Sequence, residues 1–152
     1  MRQATICLLT KKKQILLGMK KRGFGAGLWN GCGGKVHEDE DETVEQCAIR
    51  ETQEEFGVTM KSIKNVAKIA FYFPYKPEWD QLVFIYTCNK WEGDLTESEE
   101  MKPEWFDLDK IPYDKMWEDD SHWLPIVLAG KFVNAECTFG KDGKMTGFRL
   151  LE

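Results

Sequence analysis

Residues 33–58 read Gly33-Gly34-Lys35-Val36-His37-Glu38-Asp39-Glu40-Asp41-Glu42-Thr43-Val44-Glu45-Gln46-Cys47-Ala48-Ile49-Arg50-Glu51-Thr52-Gln53-Glu54-Glu55-Phe56-Gly57-Val58. The second half predicts a helix over Thr43–Phe56. Thr43 and Gln46 have capping-box spacing, no Gly or Pro interrupts, and Gly57 supplies a C-terminal stop. At about 100° per residue, Glu51, Glu54 and Glu55 fall within an arc of about 100°. Ala48, Thr52 and Phe56 form a neighbouring stripe suited to a core. Three carboxylates on one arc repel one another by a few tenths of a kcal/mol per exposed pair, and near the C-terminus they oppose the macrodipole. A hard divalent cation would offset that cost, and Mg²⁺ typically combines a few carboxylates with substrate phosphates. Taken alone, the carboxylates fit a solvated acidic face equally well, with Arg50 pairing Glu54 at i, i+4.

Outward from this stretch, Ala4–Leu9 and Gln14–Lys20 are apolar runs around Lys11-Lys12-Lys13 and read as a hairpin. The glycines of Gly23-Phe24-Gly25-Ala26-Gly27 mark a loop, and Asn30-Gly31 is a common tight-turn pair. Lys64–Phe73, Gln81–Asn89 and the short Trp105–Leu108 read as strands. Ser121–Ala129 reads as a second helix with Asp119-Asp120 capping its start. Phe132–Phe139 and Met145–Leu150 flank Lys141-Asp142-Gly143 as a last hairpin. Strands and helices interleave without regular βαβ spacing, which implies a mixed sheet covered by helices.

The chain has 152 residues and a formal charge of -5, from 21 Lys+Arg against 26 Asp+Glu. The length suits one domain spanning 1–152 with a core of its own. Net acidity argues against a surface that holds long nucleic acid. No apolar run approaches the roughly 20 residues of a membrane span, and Met1–Thr5 lacks the order of a secretory signal. The cysteines number five, an odd count with no CxxC or zinc spacing, so reduced thiols in a cytoplasmic setting are expected. Gly23-x-Gly25-x-Gly27 lacks the third Gly of a dinucleotide fingerprint, and Trp29 stands where a P-loop before Gly34-Lys35 needs its first Gly. His37 and His122 are isolated.

The whole string resembles the Nudix box, a Gly, a Glu, then Arg-Glu-apolar-x-Glu-Glu-x-Gly-apolar on a loop–helix–loop. Arg50, Glu51, Glu54, Glu55, Gly57 and Val58 stand at matching spacings, with Thr52 where an aliphatic residue is usual. Gly34 to Glu42 encloses seven residues, two more than the family pattern, and the extra pair sits in His37–Asp41. Glu42 keeps register with the helix and Glu40 does not, so Glu42 is taken as the box Glu.

The similarity runs over nearly the whole chain, through Gly18–Gly27, Trp29-Asn30-Gly31, Glu100–Phe106, Ile111-Pro112-Tyr113 and Met116–Trp123, and is weakest after Gly130. It points to the branch of the family that acts on oxidised purine nucleotides. The resemblance implies a Nudix fold of the α/β (α+β) class, an α/β/α sandwich with a mixed sheet. It implies hydrolysis of 8-oxo-dGTP and 2-oxo-dATP type triphosphates to monophosphate and pyrophosphate, sanitising the nucleotide pool. A nucleoside triphosphate is then the partner, Mg²⁺ (or Mn²⁺) the cofactor, and a cytoplasmic monomer the expected form.

Carried over by motif position, the metal ligands are Glu51, Glu54, Glu55, Glu100 and the Gly33 carbonyl. Arg50 joins the three helix glutamates in the catalytic set, with Glu51 or Glu54 as general base. Glu100 on its own reads as a solvated residue. The purine pocket draws on Thr5, Asn30, Phe71, Trp117, Glu118, Asp119 and Asp120, with Phe24 lining it. Lys20 and Cys32, Gly33, Gly34 and Lys35 lie beside the nucleotide. Cys32, Leu28 and Asp80 depart from the residues usual in that branch, all near the pocket rim.

Each group has a physical reading. Two carboxyls entering an aromatic pocket repel and desolvate each other, which raises at least one pKa. A protonated Asp donates and an ionised one accepts, so Asp119-Asp120 can match more than one purine edge. Trp117 can stack on a purine, worth about 1–3 kcal/mol by analogy with single-strand binders. Trp29, Trp105 and Trp123 are expected to be packing residues, and by residue type alone so are Phe24 and Phe71. The alternatives are a Nudix enzyme for a methylated purine triphosphate, an RNA 5′ end or a dinucleoside polyphosphate, and a nucleotide sensor without turnover.

Overall fold

The computed structural model describes residues 1–152. In chain order it contains β1 (Arg2–Lys11), β2 (Gln14–Lys20), β3 (Trp29–Asn30), α1 (Val44–Phe56), β4 (Thr59–Lys61), β5 (Lys64–Tyr72), β6 (Gln81–Cys88) and β7 (Lys90–Glu92). β8 (Met101–Asp107), α2 (Asp120–Leu128), β9 (Val133–Phe139) and β10 (Met145–Leu150) complete it. Eight strands make one mixed sheet in the order β10-β9-β5-β6-β1-β2-β3, with β8 also on β2, while β4 and β7 form a separate ribbon. β1 runs parallel to β6 and β5 parallel to β9.

Period-two alternation sends the two faces of this sheet into two cores. Leu8, Ile15, Leu17, Ile69, Val83 and Ile85 pack with Trp123, Leu124 and Val127 of α2. Cys7, Leu9, Leu16, Tyr86 and Cys88 pack with Ala48 and Phe56 of α1. The helices therefore lie on opposite faces, giving the α/β/α sandwich. No helix is long and apolar enough to cross a membrane.

α1 forms as its sequence dictates. Thr43 and Gln46 exchange both capping-box hydrogen bonds, and Gly57 closes the helix at φ 76°, where a side chain would be strained. α2 begins differently from expectation. Asp119 is already helical in its backbone and makes no capping hydrogen bond, so the aspartates are free for other work.

The first hairpin closes only at its tip, where Thr10 faces Ile15 and Lys11 faces Gln14. Beyond it the strands part, because β1 pairs with β6 from Arg2 to Leu9 and β2 pairs with β8 along its whole length. Residues 29–36 fill the wedge. Trp29 and Asn30 pair with β2, so Asn30 lies in a strand and not in the expected tight turn. Lys35 and Cys32 then bridge to Ala4 and Cys7 of β1. Thr5 N–H donates to the Gly34 carbonyl at 2.9 Å, and Val36 N–H to the Gln3 carbonyl at 3.0 Å. β8 starts four residues before the expected Trp105, since β2 offers it a full-length partner. β4 and β7, three residues each, are too short for a periodic signal.

The wedge admits no side chain at Gly33. A Cβ there would lie 2.0 Å from the Thr5 carbonyl oxygen, and the residue sits at φ 152°. Gly33→Ala is expected to cost roughly 3 kcal/mol in urea unfolding. Gly147→Ala, where a Cβ meets open space, is expected within about 0.5 kcal/mol of the parent.

Candidate active site

A cavity of about 320 Å³ opens beside the wedge. Thr5 of β1 and Asn30, Gly33, Gly34 and Lys35 of the wedge form one side of it, with Phe71 from β5. Phe24, Trp117, Asp119 and Asp120 line it as well, as do Lys20 and Glu55. Most of the residues assigned to a nucleotide from the sequence thus meet in one space. Two do not. Cys32 is fully buried in the α1-side core, its thiol 3.3 Å from the Thr52 hydroxyl, and Glu118 is exposed outside the cavity. Phe73 and Phe139 also line the space and were not anticipated. Strand alternation from Phe71 points to Phe73; nothing local marks Phe139.

Asp119 and Asp120 are both buried. Asp119 Oδ2 accepts from the Trp123 indole N–H at 2.8 Å. Asp120 Oδ2 is the one buried side-chain polar atom in the protein without a hydrogen-bond partner. Burial pushes both carboxyls up, and the neighbouring Asp119 charge pushes Asp120 further. An orphaned buried oxygen costs about 1–3 kcal/mol, a penalty that a ligand hydrogen bond removes. Trp117 is half-buried and Phe24 stacks on it at 5.0 Å between centroids. Phe24 is 63% exposed, so it is not the core residue its type suggests.

Arg50 organises the opposite end. Its Nε and Nη2 hold the Glu42 carboxylate at 2.6 and 3.0 Å, while Nη1 reaches Glu51 at 2.9 Å and Glu54 at 3.3 Å. The hydrogen bond from Arg50 keeps Glu42 down at about 2. Glu42 also accepts from His37 N–H at 3.0 Å. Glu40 instead turns to His37 Nδ1 at 3.1 Å. The two extra residues are taken up in a 3-10 turn at Glu38–Glu40, closed by Asp41 with left-handed backbone, without disturbing the helix register.

Glu55 is buried and accepts from Gly33 N–H at 2.8 Å. Burial first, then repulsion from Glu51 and Glu100, pushes it up to about 7, although the Gly33 hydrogen bond opposes the rise. Glu100 is drawn to Lys20 at 3.3 Å and Arg22 at 2.7 Å, and Glu54 lies outward on Arg50. No three carboxylates converge to ligand distance. The donors are all hard oxygens and three of them repel through Glu55, which chemically fits a hard divalent cation. Arg50, Lys20 and Arg22 balance their charge meanwhile.

The aspartate pair makes stability depend on pH. Both carboxyls are held above their unfolded range, so the folded state favours the proton. Their contribution is full below about pH 4 and is lost as pH rises through the folded pKa values. In Asp120→Asn the Asp120 share of that loss is absent, while the Asp119 share remains. Its melting temperature relative to the parent is expected to rise by roughly 3 °C between about pH 5 and pH 8. A pH-independent difference in thermal melts would contradict this.

Several known proteins are similar to this chain. A model of the NUDIX domain matches residues 1–126. The chain is 48% identical over 148 residues to the oxidized purine nucleoside triphosphate hydrolase of Mus musculus, covering 97% of this chain and 93% of that protein. It is 47% identical over 127 residues to the protein of the same name from Danio rerio, covering 84% and 80%. Among solved structures, a mutator MutT protein from Bacillus halodurans superposes with a TM-score of 0.86 at 23% identity, over 99% of this chain and 97% of that one, a likeness of fold. A MutT NUDIX hydrolase from Burkholderia pseudomallei gives 0.65 at 26% identity, over 73% and 86%.

Proposed function

The chain belongs to the NUDIX family, and on that basis we propose that it hydrolyses oxidised purine nucleoside triphosphates to the monophosphate and pyrophosphate. The observation that carries this reading is one cavity with Glu55 and Lys20 among its walls and, in the same walls, a buried aspartate pair with an unpartnered oxygen. A base and its phosphates need those two chemistries in one space. The similarity to two oxidised-purine hydrolases supports the same substrate class. Cytoplasmic sanitation of the nucleotide pool is the corresponding role.

Glu51, Glu54, Glu55, Glu100 and the Gly33 carbonyl are the groups that would hold Mg²⁺ or Mn²⁺. Such an ion would supply charge screening for the triphosphate and Lewis acidity toward a water. Glu55 Oε1 fixes the wedge by holding Gly33 N–H. Arg50 keeps Glu51 and Glu54 side by side, and we assign proton acceptance to this pair. Lys20 and Lys35 line the cavity as cations for phosphate oxygens. At the base end, one aspartate donates while the other accepts, and exchange of those roles accommodates oxidised guanine and oxidised adenine. Trp117 offers its indole for stacking.

Two measurements test this. Glu55→Gln at saturating Mg²⁺ is expected to lower 8-oxo-dGTP turnover at least about tenfold; normal pyrophosphate release would remove Glu55 from the metal site. Asp119→Ala is expected to erode the preference for 8-oxo-dGTP over dGTP in kcat/KM. Unchanged discrimination would mean that the aspartates do not read the base.

A further inference from the structure

A second cavity, of about 340 Å³, adjoins the first and shares Phe24, Phe73, Trp117 and Phe139 with it. Its own walls are Tyr75 and Trp79, with Lys141, Asp142 and Gly143 at the β9–β10 hairpin tip. Phe73, Tyr75 and Trp79 meet edge-to-face at centroid distances of 6.0–6.4 Å, and Phe24 meets Trp79 at 5.7 Å. Tyr75 keeps 37% of its surface exposed while lining this cavity.

The loop that carries Tyr75 and Trp79 is ordered by its own hydrogen bonds. Asp80 Oδ1 accepts from Phe73 N–H at 2.7 Å, Lys76 N–H donates to the Phe73 carbonyl at 2.8 Å, and Trp79 N–H to the Lys76 carbonyl at 2.9 Å. Lys76 Nζ sits over the Trp79 ring, 4.1 Å from a ring centroid. Trp79 remains 37% exposed despite these contacts. These contacts set the backbone of the loop that walls the annexe.

Its position decides the occupant. Every residue it shares with the first cavity belongs to the aromatic, base-reading end. None of Glu55, Lys20, Gly33 or Gly34 lines it. A second nucleoside joined through phosphates would leave from the Glu55 end, so the annexe does not suit a dinucleoside polyphosphate. A group attached to the base itself reaches it directly. Resting on the function proposed above, we infer that the annexe receives a one-ring aryl substituent on an exocyclic atom of the purine, so that the substrate class includes aryl-adducted purine triphosphates.

The experiment compares N6-benzyl-dATP, O6-benzyl-dGTP and N2-benzyl-dGTP with their methyl counterparts, with 8-oxo-dGTP as reference. At least one benzyl substrate is expected to reach a kcat/KM no less than about one-tenth of its methyl counterpart's, and Trp79→Ala to lower that ratio roughly tenfold, the scale of a lost stacking contact. The same variant should leave 8-oxo-dGTP turnover unchanged, because Trp79 does not line the first cavity. Tyr75→Ala provides the second variant should Trp79→Ala fail to fold. Calorimetric binding of the benzyl monophosphates, without metal, should weaken in parallel. All three ratios below about one-tenth, or ratios indifferent to both substitutions, overturn the annexe. Failure to hydrolyse 8-oxo-dGTP at all would instead overturn the underlying substrate reading and the annexe with it.

Discussion

The Glu55–Gly33 hydrogen bond joins the acidic helix to the sheet at the point where the sheet is open. β1 and β2 separate because each finds a longer partner elsewhere, and residues 29–36 occupy the gap with backbone pairing to both. Side chains cannot follow the backbone there, since a Cβ at Gly33 would strike Thr5 and one at Gly34 would lie 2.5 Å from the Glu51 carboxylate. α1 supports the wedge from one side through Glu55, Thr52 and Cys47. The cavity opens on the other. Metal-type carboxylates and pocket backbone are therefore set by the same few contacts.

Charge is arranged on that scaffold by pairing. A net charge of -5 hides a cluster in which Arg50 spans Glu42, Glu51 and Glu54 while Glu100 sits between Lys20 and Arg22. Only Glu55 lacks a cationic partner at contact distance, and its raised pKa follows from burial plus its acidic neighbours. The arrangement stores negative charge without unfolding the helix. Exposed members of this network contribute little to stability individually; their role is to hold carboxylates in register.

Much of this was legible in residue order, for reasons of range. The capping box, the helix arc and the Gly57 stop are local, and α1 begins and ends as they require. Glu42 could be chosen over Glu40 because it stands at the family distance before Arg50, the residue it pairs with. The β1–β2 wedge was not legible, because the competing partners β6 and β8 lie far along the chain and decide how long the hairpin lasts. Asn30 was misread for the same reason, as its turn propensity yields to pairing with β2. Gathering of the pocket aromatics is also non-local: Phe139 comes from the segment least similar to the family, and Cys32 enters the α1-side core through its bridge to Cys7 of β1.

The base end shows why a site can be recognised by what it lacks. Asp119-Asp120 had a sufficient local explanation as a helix cap, and the structure withdraws it, since neither carboxylate caps α2. One oxygen pairs with Trp123 and one has no partner at all. Buried polar atoms are rarely left so, and each exception calls for a cause. Alongside sit Phe24, 63% exposed, and the half-buried Trp117 on which it stacks. A protein selected only for stability would fill this region with aliphatic side chains. Unpaired acid beside uncovered aromatic surface is the complement that the proposed flat, polar-edged base would meet.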